Sequence, residues 1–507
     1  MDVLIDGAWR AADAESEFYA ESPATGERLD RAFPVSRWND CDAALTAAAD
    51  AAVELEKAAP EQIADFLELY AAALDASAEK LAQAAHEETA LAVSPRLKDV
   101  ELPRTTDQLR QAARAAREQS WRQVRIDAQR NIRSCRGPIG PVLVMGPNNF
   151  PFAYNAVSGG DFAAAMAAGN PVIGKAHPLH PYTTMLLAQE AHKAVLASGL
   201  PPATVQMIYH VSVENGLKLA GDPRLGAIGF TGSKGAGLEL KRAADAAGNP
   251  IYLEMSSLNP VVFLPHGMEE HAGQWANQLA ESCTAGAGQF CTRPNLVFLL
   301  GSGAAEKFLQ ELKGIFEGRT PAPMLSGAGR ERLHASVRAL RKAGAECVTG
   351  GEFAPGSGYR YAGTLLRLPA ERFIAGAREF LREAFGNEVM AVVAANEAEL
   401  VEALELLEGS LTGSIYSSES GSDEALCEQV APILRRKAGR LLNDKMPTGV
   451  AVTAAMNHGG PYPATGHPGF TAVGLPPAIE RFTALRCYDN VREHRLPAFL
   501  RGSGTAG

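Results

Sequence analysis

The chain has 507 residues, a length suited to about two to four domains. Hydrophobic residues at 46% and charged residues at 21% are the proportions of a folded globular protein and exclude wholesale disorder. A net charge of −10 without a basic stripe excludes ordinary nucleic-acid binding, and no run of about 18 uncharged apolar residues offers a membrane span.

The start, MDVLIDGAWR, sets Asp2 and Asp6 where a secretory leader carries Lys or Arg, so a cytoplasmic protein is expected. The cysteines (Cys41, Cys135, Cys283, Cys291, Cys347, Cys427, Cys487) are odd in number, scattered, and never at C-x-x-C spacing. That pattern argues against a disulfide framework and a structural zinc site, and the histidines show no metal-ligand spacing, so no metal is expected. Residues 43–118, rich in Ala, Leu and Glu at helical spacing, predict helices. From residue 140 short apolar runs (PVLVMG, PVIGK, TVQMIYH, LGAIGFTG, PIYLEM) alternate with helical segments, the pattern of a parallel sheet covered on both faces. Such sheets bind ligands at the carboxyl ends of their strands. Beyond Glu254 the alternation begins afresh with VVFLP, NLVFLL, VMAVVAA and LTGSIYS, which predicts a second α/β domain. FTALRCYDNV near the end reads as a further β segment.

Several of these joints carry chemistry. Gly169–Ala176 (GNPVIGKA) approximates a phosphate loop, but Ala176 replaces the hydroxyl that would hold Mg²⁺. Lys175 there is either a solvated lysine or a ligand group emerging at a strand's carboxyl end. Gly229-F-T-Gly232-Ser233-Lys234 precedes a helical segment, where backbone N–H groups can approach a pyrophosphate. Cys291, in GAGQFCT, projects from a glycine-bearing turn and is a buried thiol or an activated nucleophile. Glu254 ends an apolar strand as a solvated carboxylate or a general base. Asn149, in GPNNFP, is a turn residue or an oxyanion donor. No G-x-S-x-G elbow occurs, which disfavours a serine hydrolase.

GPNNFPF, GNPVIGKAHP, GFTGS, LEMSSLNP, AGQFCT and REAFGNEV, taken in that order over residues 146–389, resemble the aldehyde dehydrogenase superfamily. GKAHPLHP, GAGQFCT and MPTGVAV…HGGPYPAT are most similar to the branch holding 2-oxoglutarate semialdehyde and bacterial long-chain fatty aldehyde dehydrogenases. The resemblance implies an α/β fold of two domains and a small bridging β element. Residues 1–119 and 139–256 would bind the cofactor, 257–470 would be catalytic, and 120–138 with 480–507 would bridge subunits of a homodimer or homotetramer. It implies Cys291 as nucleophile, Asn149 with the Cys291 backbone N–H as oxyanion holder, and Glu254 as the base that activates water. Lys175, Gly229, Gly232, Ser233, Met255, Glu383 and Phe385 would meet NAD or NADP. Pro178 stands where NAD-preferring members place a carboxylate, so NADP is expected to be preferred, with His177, Lys175 and Lys234 facing its phosphate. Ser256 and Ser257 replace glycines usual in the family and would narrow the cofactor path. Arg293, beside the cysteine turn, either pairs with a substrate carboxylate or forms a surface or interface salt bridge. The rivals are a long-chain fatty aldehyde dehydrogenase, a non-redox thiol acyl-transfer enzyme, which would need a histidine beside Cys291, and a non-catalytic protein keeping the fold.

Overall fold

The computed structural model describes residues 1–501; residues 502–507, the end of the expected bridging element, lie outside the described residues. Two seven-stranded sheets organise the chain. The first runs, edge to edge, Ile251–Glu254, Ala227–Thr231, Val142–Met145, Val172–Lys175, Val205–Ile208, Asp2–Ile5 and Ala8–Ala11. Its chain-internal strands are parallel. Val142–Met145 and Val205–Ile208 are buried along their whole length, so they read as unbroken apolar runs rather than alternations. The N-terminal hairpin joins antiparallel, turning at Asp6 and Gly7, both at positive φ (53° and 68°). Helix Gly160–Ala167 (GDFAAAMA) is nearly all buried, and its alanines let it lie close against this sheet's core.

The second sheet runs Glu346–Thr349, Thr364–Pro369, Glu388–Ala394, Leu296–Leu300, Val261–Phe263, Ser410–Tyr416 and Ala438–Asn443. It is parallel except for its antiparallel first strand. A helix Gly327–Ala343 buries Leu333, Val337 and Leu340 on one side, an amphipathic segment absent from the expected elements. A small antiparallel sheet unites Arg125–Asp127, Ile132–Pro138 and Thr483–Asp489. Among the described residues no helix is long and apolar enough to cross a membrane.

The sheets meet end to end. Asn149, Lys175, Gly232 and Glu254 lie at or just beyond carboxyl ends of first-sheet strands, whereas Ser257, Cys291 and Glu383 lie just before amino ends of second-sheet strands. Residues 456–473 close the junction: Met255 N–H donates to the Ala464 carbonyl at 2.8 Å, and Glu254 bridges Thr465. Leu475, Ala478, Ile479 and Phe482 then pack into the first core.

Candidate active site

Helix Pro265–Thr284 ends in a tight turn whose Gly286, Ala287 and Gly288 have φ of 56°, 56° and 70°. Gly288 admits no side chain, because a Cβ there would stand 2.3 Å from the Gly386 carbonyl carbon. The turn delivers Cys291 half-buried. Asn259, itself at φ 49°, donates to the Cys291 and Arg293 carbonyls, both at 2.8 Å, and so pins the loop from inside. Arg293 is fully buried and donates to the carbonyls of Pro294 (2.9 Å), Ala384 (2.6 Å) and Glu388 and to the Asn295 side chain. This corrects both expectations for Arg293. Its ion pair is buried, to the Glu388 carboxylate at 4.0 Å, rather than at a surface or interface, and it ties the cysteine loop to the Ala384–Glu388 segment.

His458 Nε2 lies 3.4 Å from Cys291 Sγ and 3.1 Å from Glu254 Oε1. The thiol, imidazole and carboxylate donor atoms fall within 4.8 Å of one another, a cluster that no spacing along the sequence could reveal. His458 is buried and held by its backbone N–H to the Thr471 carbonyl at 2.9 Å, while the Tyr154 ring stacks on its imidazole at 5.9 Å. Burial, and next the Glu254 carboxylate, push the Cys291 thiol well above its ordinary range, so it rests protonated at neutral pH. Both contacts fall on the one Nε2 atom, so the imidazole can take the thiol proton only as the tautomer whose hydrogen sits on Nδ1.

Asn149 is buried beside the same turn, and its amide donates to the Gln289 carbonyl at 2.8 Å. The second amide hydrogen is left for an oxyanion. Arg96 donates to the Asn149 carbonyl at 3.2 Å and lies over the rings of Phe150 (4.5 Å) and Phe290 (5.4 Å). Arg104 donates to the Tyr154 hydroxyl at 2.9 Å. Sequence reasoning passed over His458, Asn259, Tyr154 and Arg104. Two of them carry a signal, His458 in the HGGP run and Asn259 in LEMSSLNP, both used for the resemblance.

The expected cofactor residues divide. Lys175 ends its strand half-buried, its ammonium donating among the described residues to the Ala176 carbonyl (3.2 Å), and burial pushes that ammonium down to about 8. His177 and His180 stack beside it at 5.4 Å, and burial pushes His177 well down, so its imidazole is neutral. A lysine without an acid partner among the described residues fits a ribose or phosphate ligand. Ser233 caps helix Lys234–Ala247 by accepting from Ala236 N–H at 3.4 Å, leaving that helix's N-terminus toward the strand ends, as a pyrophosphate requires. Met255 is buried against Gly237, where a Cβ would stand 3.1 Å from its sulfur. Lys234 pairs instead with Glu408 at 3.9 Å, and Phe385 is half-buried in the loop before Glu388. Glu383 is pushed up to about 7 by burial, against the Ser256 hydroxyl and Ser257 N–H that favour its carboxylate.

Two expectations change. Gly229 is a strand residue, paired with Val144 and Tyr252, because the strand runs on to Thr231 and the turn begins at Gly232. Its lack of a Cβ makes room for the Asp161 carboxylate, which would stand 2.6 Å away. Ser257 points into the core, donating to Asn259 Oδ1 at 2.8 Å and accepting from Leu411 N–H at 2.9 Å, so it does not narrow a cofactor path.

A family model described as the aldehyde dehydrogenase family matches residues 9–461. The chain is 35% identical to alpha-ketoglutaric semialdehyde dehydrogenase 2 of Azospirillum brasilense, over 99% of this chain and 96% of the relative. It is likewise 35% identical to alpha-ketoglutaric semialdehyde dehydrogenase of Acinetobacter baylyi, over 92% and 90%. The crystal structure of PnpE in complex with nicotinamide adenine dinucleotide superposes with a TM-score of 0.83 at 20% identity, covering 99% of each chain.

Proposed function

The chain belongs to the aldehyde dehydrogenase family and oxidises an aldehyde to its carboxylic acid with NAD(P); on that footing we propose that Cys291 is the nucleophile, 2-oxoglutarate semialdehyde the substrate and NADP the preferred coenzyme. The observation that carries the catalytic assignment is the unbroken contact from Cys291 through His458 to Glu254 beside the Asn149 amide.

His458 takes the Cys291 proton as sulfur adds to the carbonyl carbon, and the Asn149 amide with the Cys291 backbone N–H holds the oxyanion of the hemithioacetal. Neutral donors suit this position, since a fixed cation would hold the charge too firmly for hydride to leave. When bound, the coenzyme supplies the hydride acceptor. Lys175 and the N-terminus of helix Lys234–Ala247 would hold its ribose and phosphates, and Met255, Glu383 and Phe385 its nicotinamide end. Glu254 then takes a proton from water attacking the thioester, which frees the acid and returns the thiol.

The substrate assignment is supported by the names of the two curated relatives, each similar over nearly all of its length. NADP preference is supported by Pro178 in place of an acid and by the unpaired Lys175 ammonium. The exposed Leu485 on the edge strand Thr483–Asp489 supports subunit pairing there, as a homodimer or homotetramer, and seven free thiols support a reducing, cytoplasmic setting. A thiol acyl-transfer enzyme would also use an imidazole beside the thiol, so coenzyme reduction on adding aldehyde is the discriminating readout. The test is a kcat/KM panel of acid semialdehydes and alkyl aldehydes with each coenzyme. The proposal expects acid semialdehyde with NADP to rank first; activity rising with alkyl chain length would favour the fatty-aldehyde reading instead.

A further inference from the structure

We propose that Arg104, joined by Arg440, forms a carboxylate-binding subsite that holds the remote acid group of a semialdehyde while its carbonyl carbon meets Cys291. This subsite presupposes the acid-bearing substrate proposed above and names the residues that select it.

Arginines near the junction are mostly answered by acids. Arg96 pairs with the buried Glu101, and Arg481 with Asp161 at 3.2 Å. Arg104 and Arg440 are different: both are half-buried, and among the described residues neither has a carboxylate partner. The buried Nε without an acceptor is shared by Arg96, Arg104, Arg293, Arg440 and Arg481, so it is the missing carboxylate that sets Arg104 and Arg440 apart. Arg104 is two rings removed from Cys291. Its Nη2 donates to the Tyr154 hydroxyl at 2.9 Å, the Tyr154 ring stacks on His458 at 5.9 Å, and His458 reaches Cys291 at 3.4 Å. Phe150 packs edge-on to Tyr154 at 5.2 Å and Phe290 lies 5.2 Å from Phe150, an apolar wall suited to the carbon chain between two polar ends. Arg440 comes from the second sheet, donating to the Pro447 carbonyl at 2.7 Å and the Gly449 carbonyl at 3.1 Å, and its Nη1 reaches the sulfur of Met456, two residues before His458, at 3.8 Å. The electrostatics agree, since Arg104 favours the anionic forms of both Cys291 and Tyr154, and Arg440, pushed below its ordinary range by burial, is drawn back up by the same two groups. Partly desolvated guanidinium groups without an anion are costly, and a carboxylate ligand with paired N–H···O bonds removes that cost. Arg293, nearer in sequence, has its side chain turned onto backbone carbonyls and is closed to substrate.

The experiment compares wild type, Arg104→Met, Arg104→Lys and Arg440→Met on 2-oxoglutarate semialdehyde and on pentanal, an uncharged aldehyde of equal carbon count. The subsite predicts that Arg104→Met lowers the acid-to-neutral ratio of kcat/KM by about 10- to 100-fold, chiefly through KM. Arg104→Lys recovers part of the ratio, and Arg440→Met lowers it less. Equal losses on both aldehydes would make Arg104 a support for Tyr154 and overturn the subsite. A wild type that prefers pentanal removes the acid-bearing substrate and the subsite with it; a wild type that prefers the acid, with a ratio Arg104→Met leaves unchanged, removes the subsite alone. Glutarate supplies a readout independent of turnover. It should protect Cys291 from iodoacetamide in wild type and far less in Arg104→Met, and equal protection would contradict the proposal.

Discussion

The two seven-stranded sheets are alike in size and mostly parallel, yet they serve the site from opposite ends. The first sheet offers the carboxyl ends of its strands, where Lys175 and Glu254 close theirs and Asn149 and Gly232 follow. There the general rule for ligand sites in parallel sheets holds. The second sheet offers its amino ends, with Cys291 just before Leu296–Leu300 and Glu383 before Glu388–Ala394. A rule about strand ends therefore locates half of this site and misses the half that carries Cys291. The difference divides the labour. On the proposed roles, first-sheet groups bind, polarise and hydrolyse, while the second sheet presents the sulfur, locked by Asn259 and Arg293, and Glu383 toward the coenzyme.

That division can be broken one member at a time. Cys291→Ser, which removes the second sheet's contribution, should cut coenzyme reduction by about 1000-fold or more, measured as kcat/KM. Asn149→Ala, on the first-sheet side, should cost about 100- to 1000-fold in kcat, because the oxyanion loses a preorganised donor while the thiol stays in place. Iodoacetamide should still label Cys291 in that variant. His458→Asn, at the segment that joins the sheets, should slow the first turnover about 100-fold. The smallest effect tests the coenzyme end. With burial lowering Lys175 to about 8, its ammonium is present below that pH and lost above it, so NADP should bind more weakly as pH rises from 7 to 9. Fluorescence titration of NADP should show that slope in wild type, and Lys175→Met should weaken binding about 10-fold at pH 7 and flatten the slope.

Much of this arrangement is legible in the chain, but unevenly. Cys291 stands out because its glycine-bearing turn is local, and Glu254 because it closes an apolar run. The N-terminal hairpin is legible too, in the Asp6-Gly7 pair between VLI and AWR, once those residues are read for pairing rather than for a leader. His458 is not legible as a catalytic partner, since its place depends on the Met255–Ala464 bond and the Glu254–Thr465 bridge, which fold a distant loop onto the strand end. Arg293 misleads for the same kind of reason. A cationic residue beside a nucleophile suggests a ligand contact, and only packing reveals a guanidinium turned onto carbonyls.

The central claim is that Cys291, from the second sheet, accepts the substrate, and that Glu254, from the first, releases the product. Rapid mixing of Glu254→Gln with aldehyde and NADP tests it directly. The account predicts a burst of about one reduced coenzyme per site, then a stall with a thioester trapped on Cys291, recoverable by mass spectrometry. Iodoacetamide should meanwhile alkylate the free variant faster than wild type at pH 7.5, because burial still raises the thiol but the next influence that raises it, the Glu254 carboxylate, is gone. Steady turnover at the wild-type rate, or a complete absence of the burst with Cys291 still alkylated, would contradict it.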